Sequence, residues 1–227
     1  HTVYTVDLLG CGRSDKSSIT YTNFVYVQMI SDFIKKIIGQ KTDVIASGFS
    51  GSFVTMACHN EKELFNKIML VNPPSLTQLK QMPNRKDRLL KAALEIPIFG
   101  TLVYHMIVSR DNINNLFIEK MYYNPFHVDN QMADAYYEAA HKGGYYTRFL
   151  YSSLAAKYIN INICHALKAL DNSIYIVEGE TEPNGKAVTD DYCASNPAIE
   201  VSVLKETKHL PHVEAPEAFL EQVKIFF

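Results

Sequence analysis

Two short apolar runs, Asp43-Val-Ile-Ala-Ser47 and Lys67-Ile-Met-Leu-Val-Asn72, flank a segment of helical length and pattern, Gly51 to His59. Strands joined through a crossover helix run parallel, so this one unit commits the chain to a parallel sheet covered by helices. Upstream, Val3-Tyr-Thr-Val6 is β-prone and stops at Asp7-Leu-Leu-Gly10-Cys-Gly12, which reads as a buried strand entering a tight glycine turn. Between the two, Phe24, Val27, Ile30, Ile34, Ile37 and Ile38 recur at helical spacing, with Thr22 or Asn23 to cap the start and Gly39 to close the end.

After Asn72-Pro-Pro-Ser75 the strand rhythm stops, and it resumes only at Ser173-Ile-Tyr-Ile-Val177. The pattern implies an α/β core over residues 1–75 and 163–227, interrupted by a helical insertion over 76–162. Most of the 14 tyrosines fall in that insertion, including Tyr122-Tyr123, Tyr136-Tyr137 and Tyr145-Tyr146, where they serve either helix packing or a cavity wall. The last third reads as a helix over 163–170, strands over 174–177 and 199–204, and a closing helix over 214–227.

Composition narrows the function. At 227 residues and 47% apolar the chain can fill a real core, and disorder is excluded as its dominant state. With 22 Lys+Arg against 24 Asp+Glu the net charge is -2, so there is no basic surface for a nucleic acid. No run approaches the roughly 20 apolar residues that span a bilayer. Cys11, Cys58, Cys164 and Cys193 are scattered without a CxxC pair, which argues against both a disulfide framework and a structural zinc site and fits a reducing, cytoplasmic compartment. Oligomeric state is left open by these numbers.

Three elements carry chemistry. Ser50 sits in Gly48-Phe-Ser50-Gly-Ser52, between a predicted strand and a predicted helix. That is the context of a nucleophile elbow, in which a strained turn holds the attacking hydroxyl and its neighbours must be tiny. Ser52 stands where the pattern usually has glycine, and the competing reading makes Ser50 a cap on a glycine-rich helix start. Near the end, Lys208-His209-Leu-Pro-His212-Val-Glu214 puts a histidine in the loop after the last strand, placed to act as a base. His209 is preferred over His212, which reads as structural. An orienting carboxylate belongs beyond the preceding strand, where Glu178, Glu180 and Glu182 offer themselves. Glu182 lies furthest into the loop, with Asp190 and Asp191 as fallbacks that more naturally begin a helix.

In the order nucleophile, acid, histidine, the chain resembles the α/β-hydrolase fold family, specifically its members with an inserted helical cap. The resemblance rests on Asp7-Leu-Leu-Gly10-Cys-Gly12-Arg13-Ser14-Asp15-Lys16, on Gly48-Phe-Ser50-Gly-Ser52 and on His209-Leu-Pro-His212-Val-Glu-Ala-Pro-Glu. It implies a mostly parallel sheet flanked by helices, with the cap over 76–162. It also implies Ser50 as nucleophile, His209 as general base and acid, Glu182 in the place usually held by aspartate, and the Gly51 amide as an oxyanion donor. A further strand preceding Val3 is implied as well, so an upstream segment of about 50 to 70 residues is expected, and with it the second oxyanion donor.

The chemistry so implied is cleavage of an ester or related acyl compound, largely apolar, through an acyl-enzyme, with no metal or organic cofactor. A relative that binds small molecules or proteins without catalysis is the competing class.

Overall fold

The computed structural model describes residues 2–227. Four strands, β1 (Thr42–Ser47), β2 (Phe65–Val71), β3 (Ile174–Gly179) and β4 (Glu200–Leu204), pair in parallel in the order β1-β2-β3-β4. Ser47 stands opposite Val71, and Val71 opposite Val177, so the ends of β1, β2 and β3 are level. β2 and β3 are the inner pair, and Ile68–Val71 and Ile174–Gly179 are buried without interruption, as expected where helices cover both faces. Met69, Val71, Tyr175, Val177 and Leu204 close on Phe219 as one core cluster.

The helices are α1 (Asn23–Phe33), α2 (Phe49–Asn60), α3 (Leu76–Leu79), α4 (Arg85–Glu95), α5 (Phe99–Ile107), α6 (Arg110–Leu116), α7 (Asn130–His141), α8 (Thr147–Ala155), α9 (Cys164–Ala169), α10 (Gly185–Ser195), α11 (Pro211–Glu214) and α12 (Pro216–Phe226). α1 continues through a π turn to Ile38, where Gly39 takes φ 71° and returns its N–H to the Ile34 carbonyl, the helix end its glycine predicts. α4 starts in a capping box between Asn84 and Asp87. Among the described residues no single helix is long and apolar enough to cross a membrane. All four cysteines are unpaired, and burial pushes the Cys58 thiol up to about 11.

The chain divides into two compact units. One holds the sheet and comprises Val27–Gln81, Ile118–His127 and Ile161–Phe227; the other comprises the segment up to Tyr26, Met82–Phe117 and Val128–Asn160. Two departures from the sequence reading appear here. Residues 2–26 group with the helical insertion, whereas residues 118–127, from the middle of that insertion, group with the sheet. The Val3–Val6 run is exposed and forms no strand. No strand among the described residues pairs with it, and a β-prone segment without a ladder partner gains nothing from extended geometry.

In the helical unit a buried Arg148 ties three segments together. Its guanidinium donates to the Tyr145 carbonyl at 2.5 Å, to Thr101 Oγ1 at 3.2 Å and to the Glu95 carbonyl at 3.4 Å. Glu95 in turn accepts from Lys91 at 2.5 Å and from Ser152 Oγ at 2.7 Å. Arg148 therefore serves packing. Of the tyrosine pairs, the Tyr145 and Tyr146 rings lie 4.0 Å apart, with Tyr145 also lining a cavity beside Thr101 and His105, and Tyr136 meets Phe117 edge-on at 4.9 Å.

Candidate active site

The sheet unit builds its site at the C-terminal ends of the strands. The β1–β2 ladder runs one step past Ser47, because the Gly48 N–H donates to the Val71 carbonyl at 2.9 Å. α2 then begins at Phe49, so the whole change of direction falls on Gly48, with φ 57° and ψ -131°. That combination belongs almost exclusively to glycine. A Cβ built on Gly48 would meet nothing within 4 Å. The strained junction is thus at Gly48, two residues before the Ser50 that the sequence pattern puts there.

Ser50 lies in ordinary helical backbone as the second residue of α2 and is half-buried. Gly51, expected as an oxyanion donor, has its amide turned into the start of the helix. Its N–H donates to the Gly48 carbonyl at 3.1 Å, and its α-carbon faces Leu70, whose side chain would stand 3.1 Å from an added Cβ. Gly51 serves close helix–sheet approach, while the amides of Phe49 and Ser50, at the helix start, are the ones without an intrahelical acceptor. Ser52, the departure from the glycine pattern, is fully buried and its hydroxyl donates to the Phe49 carbonyl at 2.7 Å.

Across the strand ends, His209 Nδ1 lies 3.1 Å from Glu182 Oε1. An ionised carboxylate only accepts, so Nδ1 carries the hydrogen of this bond, and in a neutral imidazole so held Nε2 keeps the lone pair that a general base needs. Glu182 Oε2 is buried with no partner among the described residues. Of the three candidate glutamates only Glu182 meets the imidazole. Glu180 accepts from the Glu206 N–H at 2.9 Å, and Glu178 is buried in β3, where desolvation raises its carboxyl above the usual range. Its Oε1 fills the space a Cβ on Gly185 would need. Asp190 and Asp191 lie inside α10 and do not begin it. His212, in α11, packs against Phe219, has a buried Nδ1 without a partner among the described residues, and is held below the ordinary imidazole range by burial and then by His209.

The residue that pattern reading missed is Asn72, directly after β2. It is 5% exposed and takes φ 42°, a left-handed turn that asparagine tolerates. Its Nδ2 donates to the carbonyls of Lys208 and His209 at 2.8 and 2.9 Å, and its Oδ1 accepts from the Gly179 N–H at 3.0 Å. One side chain thereby fastens the histidine loop to the end of β3. A second clamp is Glu214, which accepts from the N–H groups of Lys208 at 2.8 Å and Tyr123 at 2.6 Å. The His209 N–H itself donates to the Met121 carbonyl at 3.1 Å.

Gly48, Phe49, Asn72, Glu182 and His209 all line one cavity of about 370 Å³, of which Ser50 is not a lining residue. Glu178, Gln78 and Ser75 join Phe49 and the prolines in its walls, so the lining is mixed in polarity, and no tyrosine contributes. Among the described residues no three His, Cys, Asp or Glu side chains gather as a metal site.

The sequence pattern described as the alpha/beta hydrolase family matches residues 1–222. The chain belongs to the alpha/beta hydrolase family. No curated protein matches this family member significantly. Among solved structures it is similar to a bromoperoxidase from Bacillus anthracis, at 11% identity and a TM-score of 0.73, over 97% of this chain and 79% of that one. It is similar also to the 2-hydroxy-6-oxo-6-phenylhexa-2,4-dienoate hydrolase of Rhodococcus sp. strain RHA1, at 16% identity and 0.73, covering 97% and 78%. A thermophilic esterase from Thermogutta terrifontis matches at 12% and 0.71, covering 96% and 76%. At such identities the likeness establishes the shared α/β-hydrolase fold, a parallel sheet flanked by helices.

Proposed function

We propose that this alpha/beta hydrolase takes a small acyl compound, an ester or a related carbonyl derivative, into the 370 Å³ cavity, with His209 as general base. The observation that carries the reading is the 3.1 Å bond from His209 Nδ1 to Glu182 in the wall of that cavity. Glu182 fixes the imidazole tautomer and stabilises the imidazolium once Nε2 has taken a proton. The Phe49 and Ser50 amides at the start of α2 are the donors for a developing oxyanion. Nε2 then returns its proton to the leaving group.

The sequence expectation makes Ser50 the attacking hydroxyl. Its position inside α2, outside the cavity lining, speaks against that route, and Gly48 at the junction favours a second reading in which the cavity holds its ligand without turnover. Hydrolysis of p-nitrophenyl esters of graded chain length by the full-length protein separates the two. Turnover that falls on the order of 10²–10⁴-fold in His209→Gln supports the hydrolytic reading. Absence of turnover, or a variant as active as the native protein, refutes it.

A further inference from the structure

We propose that position 48 is the seat of a covalent nucleophile and that glycine leaves it vacant, so this protein handles its acyl ligand without forming an acyl-enzyme. Three independent features meet at that residue. It alone takes the change of direction between β1 and α2, with φ 57° and ψ -131°. Its α-carbon opens on free space, with no atom within 4 Å of an added Cβ. It lines the same cavity as the His209–Glu182 pair, which Ser50 does not.

A hydroxyl is effective as a nucleophile only where a base can take its proton and where helix-start amides meet the oxyanion it generates. Position 48 has the imidazole in the same cavity and is followed at once by the first amides of α2. The machinery of acyl transfer is therefore assembled around a residue with no side chain. In the native protein the attacking atom is a water oxygen occupying the space over Gly48. Nε2 of His209 accepts a proton as that oxygen bonds to the acyl carbon; the bond to the leaving oxygen then breaks, and Nε2 delivers the same proton to it. One acid and one alcohol result from one ester and one water, with nothing bound to the chain at any stage.

This inference deepens the reading of the cavity as an acyl-hydrolase site, and its test is independent of native turnover. A fluorophosphonate probe reacts with activated serines, and mass spectrometry of the digest locates the label. The native full-length protein is expected to stay unlabelled at Ser50. Gly48→Ser is expected to be labelled at position 48, and the labelling rate to fall by on the order of 10² or more when His209→Gln is added. Label on Ser50 of the native protein overturns the inference. So does a Gly48→Ser variant that keeps the native circular dichroism spectrum and cooperative melt yet takes no label. Should that variant not fold, Gly48→Cys with iodoacetamide replaces it: alkylation at position 48 that slows in the His209→Gln background supports the inference, and alkylation unaffected by His209 refutes it. If the native protein hydrolyses no ester while Gly48→Ser is labelled, the hydrolytic reading falls and the vacant seat stands.

Discussion

Replacing Asn72 with alanine removes three hydrogen bonds that converge on the histidine loop, two to the carbonyls of Lys208 and His209 and one from the Gly179 N–H. The Gly179 donor is buried, and a buried donor left without an acceptor costs about 1–3 kcal/mol. Each of the two carbonyls, half-buried, loses a bond whose net contribution is about 1 kcal/mol. The sum is roughly 3–5 kcal/mol, a large fraction of the 5–15 kcal/mol that holds a typical domain together. Urea unfolding followed by circular dichroism reads this as a lower midpoint at unchanged slope. Asn72→Asp sharpens the test, since it keeps the size and the acceptor for Gly179 but turns the other group from a donor into a second acceptor facing two carbonyls. It is expected to be at least as damaging as alanine. A loss below about 1 kcal/mol in Asn72→Ala, or an aspartate variant as stable as the native protein, refutes the latch.

Gly179→Ala would put a Cβ 1.9 Å from the Lys208 carbonyl oxygen, so the loop must shift; a loss of about 1–3 kcal/mol or more in urea melts is expected, together with weaker esterase turnover. Gly48→Ala meets no atom but inherits the glycine-only backbone, and is expected to cost roughly 1–3 kcal/mol in the same assay. Glu182→Gln keeps the shape of the pair while losing its charge, so kcat/KM for a p-nitrophenyl ester is expected to fall about 10²–10⁴-fold with little change in the melt. His212 is held neutral by burial, so the unfolded chain binds more protons than the folded one below an ordinary imidazole value of about 6.5. Stability is therefore lost as pH falls from there through the depressed folded value. His212→Leu is expected to flatten that part of the pH profile of the melting temperature.

The sheet was legible because β2 and β3 are buried on both faces and so read as unbroken apolar runs, with α2 spaced between β1 and β2 as a crossover demands. The contact between His209 and Glu182 was legible because each lies just past a strand end, where loop residues converge. The strained turn lies at Gly48, two residues before the Ser50 on which the sequence pattern centres. Glycine and serine alternate through Ser47-Gly48-Phe49-Ser50-Gly51-Ser52, so composition fits more than one register; what decides it is the ladder bond from the Gly48 N–H to Val71, which keeps β1 straight until that residue. Asn72 was invisible for a related reason: an asparagine after a strand looks like ordinary turn chemistry, and its three partners lie more than 100 residues away in sequence. Val3–Val6 had the right residues for a strand but no neighbour to pair with among the described residues.

Met121 and Tyr123, drawn from the middle of a long helical stretch, meet the backbone and clamp of the loop that carries His209. Anyone exchanging that stretch for the equivalent of a relative, to graft a new specificity, therefore faces a seam that does not coincide with the obvious ends of the insertion. The transplant should comprise residues 82–117 and 128–160 and leave the ten residues between them native, because they are scaffolding for the imidazole although the chain delivers them from elsewhere.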